Sequence, residues 1–313
     1  METVGALLTM IFNPEEIFGS NGLLANDSRR YEYRPQQVEM ASAVWGALTE
    51  KTRLVVEAGP GTGKTFAYLV PALYSGHKVV ISTGTKALQD QIFYNDLPLL
   101  EKSLQLHPRI AYMKGRENYL CRRRFNLFQR QPLFPSTREG RLFTDLVAWA
   151  QKTHTGDRDE LGQIPETFQT WREICCNRDQ CLGAQCPDYE ECFLTRMRQR
   201  AAEAQLLVVN HHLFFADLAV RVRGIEVIPR YTRVIFDEAH QLEDVITQHF
   251  GLVVTTYLFE ELMRDVRAEI VQHAERQTKV EDILGALTAA TTELFSVFGG
   301  KERARLGQLH PPA

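Results

Sequence analysis

Nowhere in the 313 residues does an apolar run reach the roughly 18 residues that a membrane-spanning helix needs, so no such span is expected. The first twelve residues carry Glu2 and no Lys or Arg, so they lack the basic segment of a secretory leader. Six cysteines are too few for a disulfide scaffold. Neither sign of charge dominates: 36 Lys and Arg against 39 Asp and Glu leave a net charge of -3, which excludes a polycation. There is no internal repeat and no low-complexity tract. What is present is ordinary globular composition, 44% hydrophobic and 24% charged, with length for about two domains. The expectation is a cytoplasmic protein in a reducing compartment, where clustered cysteines bind metal or do chemistry more often than they pair.

Five short apolar runs read as strands covered on both faces: Leu54–Glu57, Val79–Ser82, Ile110–Tyr112, Leu206–Val209 and Val234–Phe236. Helical patterns lie between several of them, at Gln36–Leu48 and Lys64–Leu73. Strand alternating with helix predicts an α/β fold with a parallel sheet. The alternation breaks between about Tyr112 and Ala204. From Arg109 to Arg200 there are 16 Lys and Arg against 12 Asp and Glu, a local charge of +4, and all six cysteines lie in this stretch. The predicted organisation is a first part of an α/β domain at 1–112, a cysteine-bearing insertion at 113–204, and a second part of the same domain at 205–249. A helical region follows at 250–313, where Leu258, Leu262, Val266 and Ile270 recur every four residues.

Ala58-Gly59-Pro60-Gly61-Thr62-Gly63-Lys64-Thr65 follows the first predicted strand and opens a helical pattern. That is the context of a phosphate-binding loop, in which glycines let backbone N–H groups turn toward phosphate oxygens. Lys64 is placed to reach the β- and γ-phosphates of ATP, and Thr65 to ligate Mg²⁺. Val234-Ile235-Phe236-Asp237-Glu238-Ala239-His240 is the partner element, an apolar strand ending in two carboxylates. Asp237 is the candidate Mg²⁺ holder and Glu238 the candidate base for the attacking water. The cysteines are Cys121, Cys175, Cys176, Cys181, Cys186 and Cys192, the last three spaced C-x4-C-x5-C. Thiolates at such spacing can converge on a soft metal centre. No C-x2-C pair is present, and spacing alone does not choose between zinc and an iron–sulfur cluster.

These segments carry a resemblance to superfamily 2 helicases. Asp237-Glu238-Ala239-His240 resembles their motif II. Arg34-Pro35-Gln36-Gln37 resembles their adenine-reading segment, which implies that Arg34 and Gln37 join the ATP site. Thr83–Gln91 resembles motif Ia, which implies DNA-backbone contacts from Thr85 and Lys86, with helix capping as the plain alternative for the Thr. His240 is implied to couple the site to motion. A cysteine after Lys114-Gly115-Arg116-Glu117-Asn118-Tyr119, with three more before motif II, is similar to the XPD/DinG branch. That likeness implies a RecA-like motor domain with an inserted [4Fe–4S] domain and an arch-like helical segment. It implies Cys121, Cys181, Cys186 and Cys192 as cluster ligands, with Cys176 as the alternative to one of them. Val209–Asp217 resembles a segment preceding motif II in the same branch, and His211 and His212 are expected at a strand–helix junction, outside the cluster.

The expected activity is that of an ATP-dependent DNA helicase, 5′→3′ by resemblance, acting in repair or replication. Single-stranded DNA, Mg²⁺ and a replication or repair protein are its implied partners. Arg122 and Arg123 beside the first cysteine are candidate DNA contacts, with Tyr and Phe rings as stacking faces. Neither a Ser-Ala-Thr motif III nor a Gln-x-x-Gly-Arg-x-x-Arg motif VI occurs. The expectation is therefore the N-terminal portion of a longer motor, unable to unwind DNA alone. The rival reading is a non-motor module that holds ATP and single-stranded DNA, a redox-sensitive regulator.

Overall fold

The computed structural model describes residues 12–27, 31–165, 167–251, 256–270 and 277–296, with only the backbone for 26, 27, 268–270 and 277. They fall into two compact units, Met1–His249 and Phe250–Ala313. In the first unit, helices α1 (Pro14–Phe18), α2 (Leu23–Asp27), α3 (Pro35–Glu50) and α4 (Lys64–Tyr74) precede strand β1 (Val79–Thr83). Helix α5 (Lys86–Gln91) runs through a π-helical turn (Ile92–Asp96) into α6 (Leu97–Leu104), and β2 (Ile110–Tyr112) follows. Helices α7 (Arg122–Arg130), α8 (Thr137–Ala150), α9 (Trp171–Ile174) and α10 (Phe193–Glu203) come before β3 (Leu206–Asn210). Helix α11 (His211–Arg221), β4 (Arg233–Phe236) and α12 (Leu242–Phe250) complete the order. The second unit contains α13 (Thr256–Ile270) and α14 (Gln277–Ser296).

The four strands form one parallel sheet in the order β2–β3–β1–β4. Val80 stands opposite Leu207 on one side and Val234 on the other. Every residue of β1 is buried, and all of β3 but Asn210. Alternate side chains feed two cores, as the two-residue period of a strand requires. Val79, Ile81, Leu206 and Val208 pack with residues of α1, α3, α4 and α6. Val80, Leu207 and Val209 pack with Met197 and Ala201 of α10 and with Phe214 and Phe215 of α11. Each fully covered Val, Ile or Leu contributes about 1.5–3 kcal/mol relative to exposure.

One predicted strand is absent. Leu54–Glu57 forms no ladder, and Leu54, Val55 and Val56 are 42%, 95% and 39% exposed. Apolar composition is enough to suggest a strand, but a strand exists only where a neighbour supplies hydrogen bonds. Among the described residues this segment has none.

Between β2 and β3 the described residues hold helices and two isolated bridges, Tyr119 with Asp157 and Leu120 with Cys175. This stretch packs a core of its own around Leu120, Phe125, Phe143, Leu146, Trp171, Ile174 and Phe193. It is fastened to the sheet by Lys114. The Lys114 ammonium, 1% exposed, lies 2.9 Å from Asp157, 3.5 Å from Asp90 of α5, and against Asp159.

Candidate nucleotide site and cysteine loop

The phosphate-binding loop leads straight into α4. Gly61 and Gly63 adopt φ values of +81° and +76°, the left-handed region that glycine enters without penalty. Gly63 is constrained twice, because a Cβ there would lie 2.1 Å from Gln37 Nε2. The buried Gln37 amide donates to the Gly63 carbonyl at 2.9 Å, and the Thr62 hydroxyl to the Gly59 carbonyl at 2.9 Å. Lys64 and Thr65 are the first residues of α4 and are half-buried. The helix N-terminus therefore directs unpaired N–H groups into the loop, a ready site for phosphate. Arg34 stands at the start of α3 and pairs with Glu32 at 2.7 Å.

Asp237 and Glu238 follow β4 directly. The Asp237 backbone N–H donates to the Ser82 carbonyl at 2.9 Å, which continues the sheet register by one residue. Tyr68, one turn into α4, ties the two elements together. Its hydroxyl donates to Asp237 Oδ2 at 3.1 Å and also reaches the Thr65 side chain. Burial, and then the Asp237 charge, push the Tyr68 pKa well above its ordinary value, so the hydroxyl stays a donor. Thr65 and Asp237, the two candidate Mg²⁺ holders, are thus held on one hydroxyl. Glu238 has φ +55°, an uncommon conformation for a non-glycine residue and a local strain of the kind found at functional sites. Its Oε2 lies 3.3 Å from His240 Nδ1.

Three residues outside the candidate site set contribute to this region. Tyr68 is one. Gln241 is another: its side chain fills the space beside Gly84, where a Cβ would lie 2.4 Å from Gln241 Oε1. That contact joins the segment after motif II to motif Ia. His211 is the third. It sits at the β3–α11 junction, fully buried, and shares a 2.7 Å hydrogen bond with Ser82 Oγ. Burial lowers its pKa, so it is neutral. A helical period through Lys64–Leu73 marks Tyr68 as inward-facing, which is the one signal available for it.

The candidate DNA contacts have internal partners. Thr85 caps α5 by accepting from Leu88 N at 3.2 Å, and Lys86 Nζ donates to Asn118 Oδ1 at 3.0 Å. Arg122 donates to the Glu191 carbonyl at 2.9 Å and lies 4.4 Å above the Phe193 ring. Arg123 donates to the Gln180 carbonyl at 2.6 Å. Both arginines therefore strap the cysteine loop to α7, each with donors to spare on its five-donor guanidinium.

All six cysteines are free thiols. Cys176 lies within hydrogen-bonding reach of both Cys121 and Cys192, and its thiol draws Cys121 down to about 6 and Cys192 down to about 5. Cys176 itself is pushed up by the same two hydrogen bonds and by burial. Cys181 is exposed and Cys186 half-buried. Arg198 feels the charges of Cys181, Cys192 and Cys176 together. The structure thus brings together Cys121, Cys192 and Cys176, with Cys181 near the same arginine. Among the described residues no group of three or more His, Cys, Asp or Glu side chains is arranged as a metal cage. The donor chemistry nonetheless fits a soft metal centre: thiols converge, and two of them favour the thiolate form that binds metal. Cys175 is buried and its pKa raised, the profile of a packed thiol.

A parallel α/β sheet with a phosphate loop at the head of one helix and an Asp-Glu pair at the end of a neighbouring strand is the architecture of a RecA-like nucleotide-binding lobe. Residues 37–154 match the DEAD/DEAH box helicase family. It is similar to the ATP-dependent DNA helicase YoaA of Haemophilus influenzae, 43% identical over 251 residues, and to YoaA of Escherichia coli, 41% identical over 253. Each match covers 80% of this chain and 39% of the relative. It is also similar to the ATP-dependent helicase DinG of Mycobacterium tuberculosis, 39% identical over 68% of this chain and 35% of that protein. The chain thus spans about two fifths of the length of the YoaA relatives it matches. No helix among the described residues is long and apolar enough to cross a membrane.

Proposed function

We propose that this chain is the ATP-binding lobe of a DNA helicase similar to YoaA and DinG. The observation that carries the reading is the Tyr68 hydroxyl, which holds Thr65 and Asp237 together at the mouth of the phosphate loop. In this assignment Gly59, Pro60, Gly61, Thr62 and Gly63 wrap the phosphates and Lys64 neutralises the β- and γ-oxygens. Thr65 and Asp237 hold Mg²⁺, and Glu238 accepts the proton of the attacking water. Gln37 and Arg34 flank the base, and His240, bonded to Glu238, is the first residue able to sense its protonation. Thr85, Lys86, Arg122 and Arg123 are assigned as contacts to single-stranded DNA, with translocation 5′→3′ and a repair or replication partner following from the likeness.

Cys121, Cys181, Cys186 and Cys192 are assigned as ligands of a [4Fe–4S] cluster, which supplies a rigid cross-link through four thiolates and one-electron redox capacity when bound. The chain's own part is to keep Cys121 and Cys192 deprotonated and to hold the loop with Arg122 and Arg123. The test is binding of a fluorescent ATP analogue with Mg²⁺, and hydrolysis with and without single-stranded DNA, on protein purified without oxygen. Wild-type chain should bind nucleotide and turn over slowly; Lys64→Ala should lose at least ten-fold in nucleotide affinity with its fold intact. Equal nucleotide binding by the Lys64→Ala variant would overturn the assignment.

A further inference from the structure

The end of the sheet away from the candidate nucleotide site is lined with cations. The strands are parallel, so all four enter from this end, in the order β2–β3–β1–β4. Arg109 precedes β2, Lys78 precedes β1 and Arg233 opens β4. Their backbones interlock. Gln205 N donates to the Arg109 carbonyl at 2.7 Å, Val79 N to the Gln205 carbonyl at 2.8 Å, and Thr232 N to the Lys78 carbonyl at 2.9 Å. Lys51 follows α3, and Arg233 Nε donates to the Leu48 carbonyl of that helix at 2.6 Å. At ~4.8 Å between neighbouring strands, the row spans about 14 Å.

No acid answers these cations. Among the described residues Lys51, Lys78, Arg109 and Arg233 take part in no ion pair. The charges they feel are each other's: burial, and then Arg233 and Lys51, lower the His77 pKa, and burial, and then Arg109, lower that of Lys78. Lys78 Nζ donates to the Ala202 carbonyl of α10 at 2.6 Å, so helix carbonyls explain the places of Lys78 and Arg233. The exposed side chains of Lys51 and Arg109 make no hydrogen bond among the described residues. Lys51 also has φ +58°, a conformation that glycine enters freely and lysine only at a cost. A chain with a net charge of -3 thus keeps an uncompensated basic row.

The loop that leads into β4 adds apolar surface at the same end. Val222 and Ile225 are 85% and 45% exposed, and Arg223 between them is exposed as well. The loop is fixed in place: the buried Asp217 accepts from Val227 N at 2.7 Å and Ile228 N at 2.8 Å and pairs with Arg221. Aliphatic side chains beside cations suit a polypeptide. A single nucleic-acid strand calls for rings on which its bases stack, and Val222–Glu226 contains none. We propose that this end of the sheet, with Arg109, Lys78, Arg233, Lys51, Val222 and Ile225, docks an acidic segment of a partner protein that carries aliphatic residues at one end. About four extended residues reach along the row. The candidate nucleotide site lies at the other end of the strands, roughly 16 Å away for the five residues of β1, so it stays open. The inference does not rest on the proposed activity.

The test is fluorescence anisotropy with the full chain and a fluorescein-labelled peptide in which a run of Asp and Glu adjoins two leucines. The peptide should bind, with an affinity that falls as salt rises. A peptide with Asn and Gln in place of the acids, and one with serines in place of the leucines, should each bind at least five-fold more weakly. Lys51→Gln/Arg109→Gln should weaken binding of the acidic peptide at least five-fold and leave the thermal midpoint unchanged, because both side chains are exposed. Arg130→Gln/Arg138→Gln, an equal change of net charge at exposed positions of the insertion, should weaken it less than two-fold. Val222→Ser should weaken it at least three-fold. Binding of labelled oligothymidylate should respond no more to the first pair of changes than to the second. No binding of the acidic peptide, equal binding of the neutral or the leucine-free peptide, or equal effects of the two double variants would overturn the proposal. So would a loss of oligothymidylate binding confined to Lys51→Gln/Arg109→Gln, which would give the face to nucleic acid.

Discussion

Lys114→Met tests what fastens the cysteine insertion to the nucleotide-binding lobe. Lys114 follows β2 closely; Asp90 belongs to α5, and Asp157 and Asp159 lie in the insertion. Its ammonium is also 4.7 Å from the centroid of the Tyr112 ring. Burial drives the Lys114 pKa down, but the surrounding carboxylates, Asp157 foremost, drive it up by more, so the group stays charged. Burial also pushes the Asp157 carboxyl up against the pull of Lys114, since one cation serves three acids. Methionine keeps most of the stem volume and removes the charge. At the 2.9 Å separation from Asp157, the gross attraction at an effective dielectric near 20 is roughly 6 kcal/mol, much of it cancelled by lost hydration. What remains on truncation is the cost of a buried carboxylate without its partner, about 3–5 kcal/mol. Asp90 and Asp159 are about a third exposed, regain water, and add little. A loss of that size is a large fraction of the roughly 5–15 kcal/mol that holds a domain together. Guanidinium unfolding followed by the fluorescence of Trp149 and Trp171, both in the insertion, measures it. The double variant Lys114→Met/Asp157→Asn should lose at least about 1 kcal/mol less than the sum of the single changes. A loss below about 1 kcal/mol, strictly additive with Asp157→Asn, refutes the buried-ion account.

Two further outcomes follow from the cysteine loop and from the buried histidine. Cys186→Ser should remove most of the iron and the brown absorbance of protein purified without oxygen, while Cys176→Ser should retain both; the reverse pattern reassigns the fourth ligand to Cys176, the thiol lying between Cys121 and Cys192. His211 has its pKa lowered by burial, so its contribution to stability is complete above its ordinary value of 6.5 and is lost as pH falls through the lowered value. His211→Asn should therefore flatten the decline of thermal midpoint on the acid side of 6.5, and an unchanged slope would show that His211 is not a source of that decline.

The parts of this protein that were legible in its sequence are those whose chemistry is local. Val79–Thr83 and Leu206–Asn210 are runs of residues that a central parallel strand needs, and they form the middle of the sheet. The phosphate loop is legible because its glycines answer a backbone requirement, which Gly61 and Gly63 meet with positive φ. Asp237 and Glu238 are legible because they end an apolar strand. Tyr68 and Gln241 carry no motif signal, and His211 is legible only as a residue of a strand–helix junction, because each acts through a residue distant in the chain: Asp237, Gly84 and Ser82 respectively. Arg122 and Arg123 illustrate the converse limit. An arginine run signals positive charge, but carbonyls of Gln180 and Glu191 take part of its hydrogen bonding, and only the folded loop reveals that.

Leu54–Glu57 is the most instructive departure. Its composition states what the segment needs, which is cover on both faces and a ladder on its edges; the structure shows that need unmet, with Val55 at 95% exposure. Apolar pattern reports a demand for burial, and burial itself depends on whether a neighbour is present. The same reasoning applies at the candidate nucleotide site. Thr65 and Asp237 are brought together by Tyr68 from α4, but among the described residues the segment that delivers the phosphate loop to α4 has no ladder to hold it.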